Sequence, residues 1–309
     1  KLGDFDVEVQ ISHCGICHSD IHLIDNDWGI SKYPLVPGHE IIGTVVQKGS
    51  KVNLEIGSRV GVGWQRSACG SCDDCTSGNE NLCIYQEATC NGHHGGFADR
   101  IIADSRFVFL IPDRLQSENA APLLCAGITV FSPLIRQNLK PGQKVAVIGI
   151  GGLGHLAIQF AKKMGFEVTA LSSTADKETE AKELGADHFV LSAKDQIRSM
   201  RRSQDFILNT TMADSDWHGI IQMLRSNGTL CFAGSPRRSV SVPMHLLIDA
   251  NRSISGSHVG SRHDMMSMLT FAAEHEIIVK TEVVTLNQIN DAIQKVRNNQ
   301  ARYRMVIEM

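Results

Sequence analysis

Residues 144–165 read "KVAVIGIGGLGHLAIQFAKKMG", and half of the fold hangs on them. The apolar run Val145 to Ile148 has the composition of a buried strand, and Gly149, Gly151 and Gly154 follow it as G-x-G-x-x-G. Leu153, Leu156, Ala157, Phe160 and Ala161 then recur at i, i+3, i+4, i+7 and i+8, the period of a helix with one buried face. Strand, glycine turn and helix in this order make a pyrophosphate cradle. The glycines permit a tight turn and close approach of the backbone, and the positive end of the helix faces the anion. Gly149, Gly151, Gly152, Leu153 and Gly154 are the expected cofactor-binding residues. A turn that serves only packing is the competing reading, and the flanking strand and helix weigh against it.

Outward from this turn the same rhythm continues. "EVTALS" (167–172), "HFVL" (188–191), "DFILN" (205–209), "TLCFAG" (229–234) and "SISGSHV" (253–259) are strand-like runs separated by helix-length stretches. The pattern predicts an α/β fold, a Rossmann-type doubly wound parallel sheet covered on both faces. The second strand should close on the residue that reads the adenosine ribose. A carboxylate there binds the 2′-hydroxyl of NAD. Here Ser172 and Ser173 stand in its place with Lys177 just beyond, so repulsion of a 2′-phosphate is absent and hydroxyl and ammonium donors are present. NADP(H) is the expected cofactor; the alternative is that these residues only cap the next helix.

The first 110 or so residues are rich in Gly, His and Cys, with short β-type runs such as "IIGTVVQ" (41–47) and "SRVGVGW" (58–64), and predict an irregular, mainly β domain. The closing stretch, from Val283, reads as strand, amphipathic helix and strand, and pattern alone does not say where it docks. The chain opens at Lys1 already within a strand-like pattern (Phe5, Val7, Val9, Ile11), from which a missing N-terminal segment is expected.

Composition removes other classes. The 309 residues carry 30 Lys and Arg against 33 Asp and Glu, a formal charge of -3, which gives no footing for nucleic acid or a membrane surface. The longest stretches without Asp, Glu, Lys or Arg, Asn119 to Ile135 and Val145 to Ala161, fall short of the roughly 20 residues of a membrane span. Nine cysteines, an odd number in a chain this long, suit reduced thiols on a metal better than a disulfide framework.

Four of those thiols, Cys69, Cys72, Cys75 and Cys83, stand in "CGSCDDCTSGNENLC" (69–83). They can close a tetrahedron around one zinc with no position left for substrate, which makes such a site structural; iron-sulfur ligation is the main competitor. A second set is dispersed: Cys14, Cys17, His18, Ser19, Asp20 and His22 in "CGICHSDIH", and His39 and Glu40 in "VPGHEIIG". Each alone could be a core thiol or a surface imidazole. Together they contain the two-cysteine, one-histidine ingredients of a catalytic zinc, without showing that they meet.

"GICHSDIH", "YPLVPGHE", the four-cysteine lobe, "PLLCAGITVF", "VIGIGGLGHLAIQFAK", "NDWG" (26–29) and "ARYRMVI" (301–307) together resemble the zinc-dependent medium-chain alcohol dehydrogenase family, in its branch of cinnamyl alcohol dehydrogenases and bacterial NADPH-dependent aldehyde reductases. The resemblance implies a discontinuous GroES-like catalytic domain, residues 1–123 and 276–309, around a dinucleotide-binding domain, residues 124–275. It implies two Zn2+ per subunit, the catalytic one on Cys17, His39 and Cys125. Cys14 would be a packed thiol, Glu40 an acid beside the metal, and Asp20 the carboxylate that orients His39. Ser19 would meet the substrate oxygen and pass its proton by way of the cofactor ribose towards His22, and His18 and Arg302 would lie near the cofactor phosphates. Cys125 and the complete four-cysteine lobe favour alcohols and aldehydes over polyols. Trp28 is a candidate wall for an apolar substrate. The implied reaction is hydride transfer between NADPH and an aldehyde, reduction favoured, by a cytoplasmic homodimer or homotetramer. A zinc-free quinone or enone reductase of the same superfamily, and a non-enzymatic zinc-stabilised binding protein, are the rivals.

Overall fold

The computed structural model describes residues 2–309, and among these the chain divides into two compact units, residues 2–128 with Val259–Met309, and Thr129–His258. The second crossing comes earlier than the residue 275 read from sequence, because helix Arg262–Glu274 belongs to the first unit.

In the first unit one strand organises the rest. Asp6–Ile16 places Val7, Val9 and Ile11 in the core at every second position, each burial stabilising by about 1.5–3 kcal/mol. Along one edge it pairs antiparallel with Glu40–Lys48, in a register that sets Gly15 opposite Glu40. Along its other edge the first half pairs with Arg100–Asp104 and the second half with the C-terminal strand Arg304–Glu308, where Ile16 faces Met305. The closing stretch whose docking pattern left open is therefore part of this mixed sheet: Thr281–Thr285 runs parallel to Arg304–Glu308 at its edge.

The second unit holds a six-stranded, wholly parallel sheet. From edge to edge it runs His188–Leu191, Glu167–Ser172, Lys144–Ile148, Gln204–Asn209, Leu224–Phe232 and Ser253–Gly256. Numbered along the chain that order is 3-2-1-4-5-6, the doubly wound Rossmann arrangement. The three inner strands Glu167–Ser172, Lys144–Ile148 and Gln204–Asn209 are buried on both faces, which is why they read as continuous apolar runs rather than as alternation.

Ser117–Arg136 is long and apolar enough to cross a membrane by length and composition, yet 83% of its most apolar window is buried inside the protein, as in a core helix. It is not one regular helix. Ser117–Pro122 gives way to a wide π turn at Leu123–Gly127 before the α-helix Ile128–Arg136. Pro122, with no N–H to donate, immediately precedes the irregular turn.

Candidate active site

The site in the first unit starts from a helix cap. Cys17 is the N-cap of helix His18–Asp25: its Sγ accepts from the Ser19 N–H at 3.5 Å, and Asp20 Oδ2 accepts from the Cys17 N–H at 2.8 Å. The cap fixes Cys17 and buries Asp20 completely. The other Asp20 oxygen accepts from the Gly38 N–H at 2.9 Å and bonds His39 Nδ1 at 3.0 Å. With Nδ1 committed, Nε2 is the free coordinating nitrogen of His39. It lies 3.3 Å from Cys125 Sγ, which is 3.9 Å from Cys17 Sγ. Cys125 comes from the π turn, whose extra width carries this side chain into the group.

These two spacings lie close to the edges of a tetrahedron around a zinc ion, about 3.5–3.8 Å for bonds of about 2.0–2.3 Å. Charge points the same way. Two thiols and two carboxylates gather around one imidazole and one guanidinium, and with both thiols ionised and the imidazole neutral, the states that bind metal, the excess negative charge is one that a divalent cation balances. The Cys125 thiol donates to Cys17 and holds the Cys17 thiol well below its ordinary value, against the effect of burial. Burial disfavours a charged His39, but Asp20 and then Cys125 outweigh it and raise the imidazole well above its usual range. Glu40 is pushed up to about 7 by burial, with the Arg304 guanidinium pulling the other way. The two are wholly or almost wholly buried and form a close ion pair. Glycine is required at position 15 because a Cβ there would overlap the Glu40 carboxylate.

The four-cysteine lobe forms a second group. All four Sγ atoms lie within 4.8 Å of one another, with Cys69 3.9 Å from Cys75 and 3.6 Å from Cys83. The Ser71 and Cys72 N–H groups lower the Cys69 thiol to about 6, ready to bind metal as thiolate.

In the second unit Gly149 adopts φ 89° after strand Lys144–Ile148. A Cβ at Gly154 would overlap the Gly149 carbonyl oxygen, whereas at Gly151 nothing lies within 4 Å of such an atom. The turn thus has a crowded side that needs glycine for packing and an open side that fits a pyrophosphate. Gly152 and Leu153 complete it, Leu153 at the N-cap of helix Gly154–Lys163. Ser172 ends the second strand, its Oγ accepting from the Thr174 N–H at 3.2 Å, and Ser173 is exposed. Lys177 Nζ donates to the Ile150 carbonyl at 2.8 Å, so this ammonium stands at the glycine turn itself.

Residues 3–113 match the alcohol dehydrogenase GroES-like domain and residues 152–274 the zinc-binding dehydrogenase domain. Aldehyde reductase AdhA of Synechocystis sp. is 45% identical over 99% of this chain and 92% of its own length. The chain belongs to the zinc-binding alcohol dehydrogenase family. Members of this medium-chain family are oxidoreductases of alcohol and aldehyde groups, and this chain is one of them. A cinnamyl alcohol dehydrogenase from Sorghum bicolor superposes with TM-score 0.96 at 38% identity, over 100% of this chain and 91% of that one. The cinnamyl alcohol dehydrogenase of Helicobacter pylori, solved as a complex with NADP(H), gives 0.92 at 33%, over 100% and 92%.

Within this dehydrogenase the predicted residues do not all converge. Cys17, Asp20, His39, Glu40 and Cys125 do, and Cys14 is a fully buried thiol, as expected for a packed one. Ser19 is held beside Cys17 on the first helical turn. His22, on the same helix, bonds Asp27 Oδ2 through Nδ1 at 2.7 Å, its ring centroid 5.1 Å from Trp28 and 6.4 Å from that of His18. Trp28 is 43% exposed and meets Trp64 edge-on, and Trp64 meets His39 edge-on. Arg302 is exposed and its N–H donates to Glu282 at 3.1 Å. Sequence reading missed Arg304, Trp64 and Cys90, whose Sγ is 4.0 Å from His39 Nδ1. Only Arg304 carried a signal, a charge inside the apolar strand run "RMVIE".

Proposed function

We propose that the chain reduces aldehydes with NADPH at a zinc held by Cys17, His39 and Cys125, and reverses the reaction with primary alcohols. What supports this most is the close approach of the three donors, Cys125 lying 3.9 Å from Cys17 and 3.3 Å from His39 Nε2 and all within 4.8 Å of one another, with the remaining nitrogen of His39 secured on a buried carboxylate. When bound, zinc supplies Lewis acidity toward the carbonyl oxygen and NADPH supplies the hydride. The Ser19 hydroxyl, anchored by its own N–H on Cys17, delivers the proton to the nascent alkoxide, and His22, steadied by Asp27, replenishes it. Asp20 orients His39. Arg304 keeps Glu40 beside the donors, where this acid can assist exchange of ligands.

Gly149, Gly151, Gly152, Leu153 and Gly154 would cradle the pyrophosphate, Ser172, Ser173 and Lys177 the 2′-phosphate, and His18 and Arg302 further cofactor phosphates. The NADP(H) complex of the Helicobacter pylori relative supports that cofactor choice. A second, structural zinc sits on Cys69, Cys72, Cys75 and Cys83. The assembly is a homodimer or homotetramer in the cytoplasm. The test is zinc content with a panel of aliphatic and aromatic aldehydes under NADPH and under NADH. Two zinc per chain and NADPH-linked reduction are expected; one zinc or none, or equal use of NADH, would overturn the reading.

A further inference from the structure

A groove on the first unit, separate from the cysteine and histidine donors, has the volume of a ligand site. It encloses about 580 Å³, within the range of about 300–1,000 Å³ typical for small-molecule pockets. Its lining includes three permanent cations, Lys32, Arg66 and Arg100, and two imidazoles, His93 and His94, against a single carboxylate, Glu8. In a chain of formal charge -3 this is a concentration of the minority sign.

Nearby acids satisfy Arg100 but not Lys32 or Arg66. Glu8 is spent on Arg100, whose Nη1 donates to it at 2.8 Å while Nε donates to Gln10. Glu87 Oε2 already accepts from Ser67 Oγ at 2.9 Å and faces His93 Nε2 at 3.4 Å, and Arg66 Nε is 4.0 Å from it, beyond a hydrogen bond. The Arg66 Nε–H is consequently a buried donor with no hydrogen-bond partner, a condition that an anionic acceptor relieves. Lys32 and His94 have no ion-pair partner among the described residues. Gly92, at φ 75°, turns the chain beside Lys32 in a backbone conformation that favours glycine.

We propose that this groove binds a phosphate-bearing small molecule. Guanidinium forks and imidazoles match the tetrahedral oxygens of phosphate, and Tyr33, Pro34 and Ile102 offer exposed apolar surface to an organic moiety. The site is independent of the proposed reaction.

Calorimetric titration of the full chain with inorganic pyrophosphate, at constant ionic strength, tests it. The variants are Lys32→Gln, Arg66→Gln and, as a control for the glycine turn, Lys177→Gln. The expected result is a site whose affinity falls at least tenfold in Lys32→Gln and in Arg66→Gln and persists in Lys177→Gln. No pyrophosphate binding by the wild type, or binding unchanged in Lys32→Gln, would overturn the proposal. Lys32 is exposed and unpaired, so its variant keeps the test valid even where Arg66→Gln disturbs folding. Citrate in place of pyrophosphate is expected to bind more weakly; tighter citrate binding overturns the assignment to phosphate.

Discussion

Asp20→Asn isolates the residue on which the metal centre turns. The carboxylate is wholly buried and accepts from three donors, the Cys17 N–H, the Gly38 N–H and His39 Nδ1. An asparagine of the same shape can present one oxygen to Gly38 and His39, but its amide nitrogen then faces the Cys17 N–H, donor against donor. One charge-assisted bond is lost outright, and the other two become neutral. At about 1.5–3 kcal/mol for a bond to a charged group and about 1 kcal/mol for a neutral one, the fold should lose about 2.5–7 kcal/mol. The amide also pulls less strongly on the imidazole, and loss of such an outer partner lowers metal affinity about 10–100-fold, or about 1.4–2.7 kcal/mol. Competition against a chromophoric chelator measures the metal term, and urea unfolding of the metal-free protein measures the fold term. The four-cysteine lobe is the internal control, since none of the three bonds reaches it: with a zinc in each group, as proposed, only the one on Cys17, His39 and Cys125 should leave early. An Asp20→Asn protein that holds both ions within threefold of wild type and unfolds at the same urea concentration would refute the role given to this carboxylate.

Gly154→Ala should lower the thermal midpoint and abolish detectable NADPH fluorescence enhancement, because its Cβ would overlap the Gly149 carbonyl oxygen and overpacking against backbone costs about 1–3 kcal/mol. Lys177→Gln should raise KM for NADPH about tenfold while leaving KM for NADH nearly unchanged, since about 1.4 kcal/mol of charge pairing with the 2′-phosphate is removed; equal effects on both cofactors would place the lysine elsewhere. Glu167, bonded first by Lys144 and then by His188, has its carboxyl lowered from the ordinary value, so its stabilisation is complete above about pH 4.3 and is lost as pH falls through the depressed folded-state value. Glu167→Gln should therefore be less stable than wild type at pH 7 in denaturant titrations, with the difference shrinking as pH falls below about 4.3.

Local chemistry was legible wherever one short stretch contains the whole device. The glycine turn is complete between residues 144 and 163, and its strand and helix formed where period and composition placed them. The four cysteines close a group within fifteen residues because bringing the ends of so short a loop together costs little entropy. Asp20 and Cys17 share a helix cap, a relation with a spacing of three that sequence reading did not draw. The grouping of Cys17, His39 and Cys125 was reached only through resemblance.

What tertiary structure alone decided is how distant segments share an atom's neighbourhood. Arg304 reaches Glu40 because the C-terminal strand pairs with the second half of Asp6–Ile16 while Glu40 faces Gly15 from the opposite edge. Slipping either register by one residue would turn those side chains to the other face, and register is set by the packing of the whole sheet. Cys125 enters the metal group through a π turn that no apolar period announces, since "LLCAG" reads as ordinary helix. Sequence therefore determined which chemistry was available, because residue types and short spacings fix local geometry. The fold determined where it converged, because contacts across a hundred residues exist only once the sheet has closed around them.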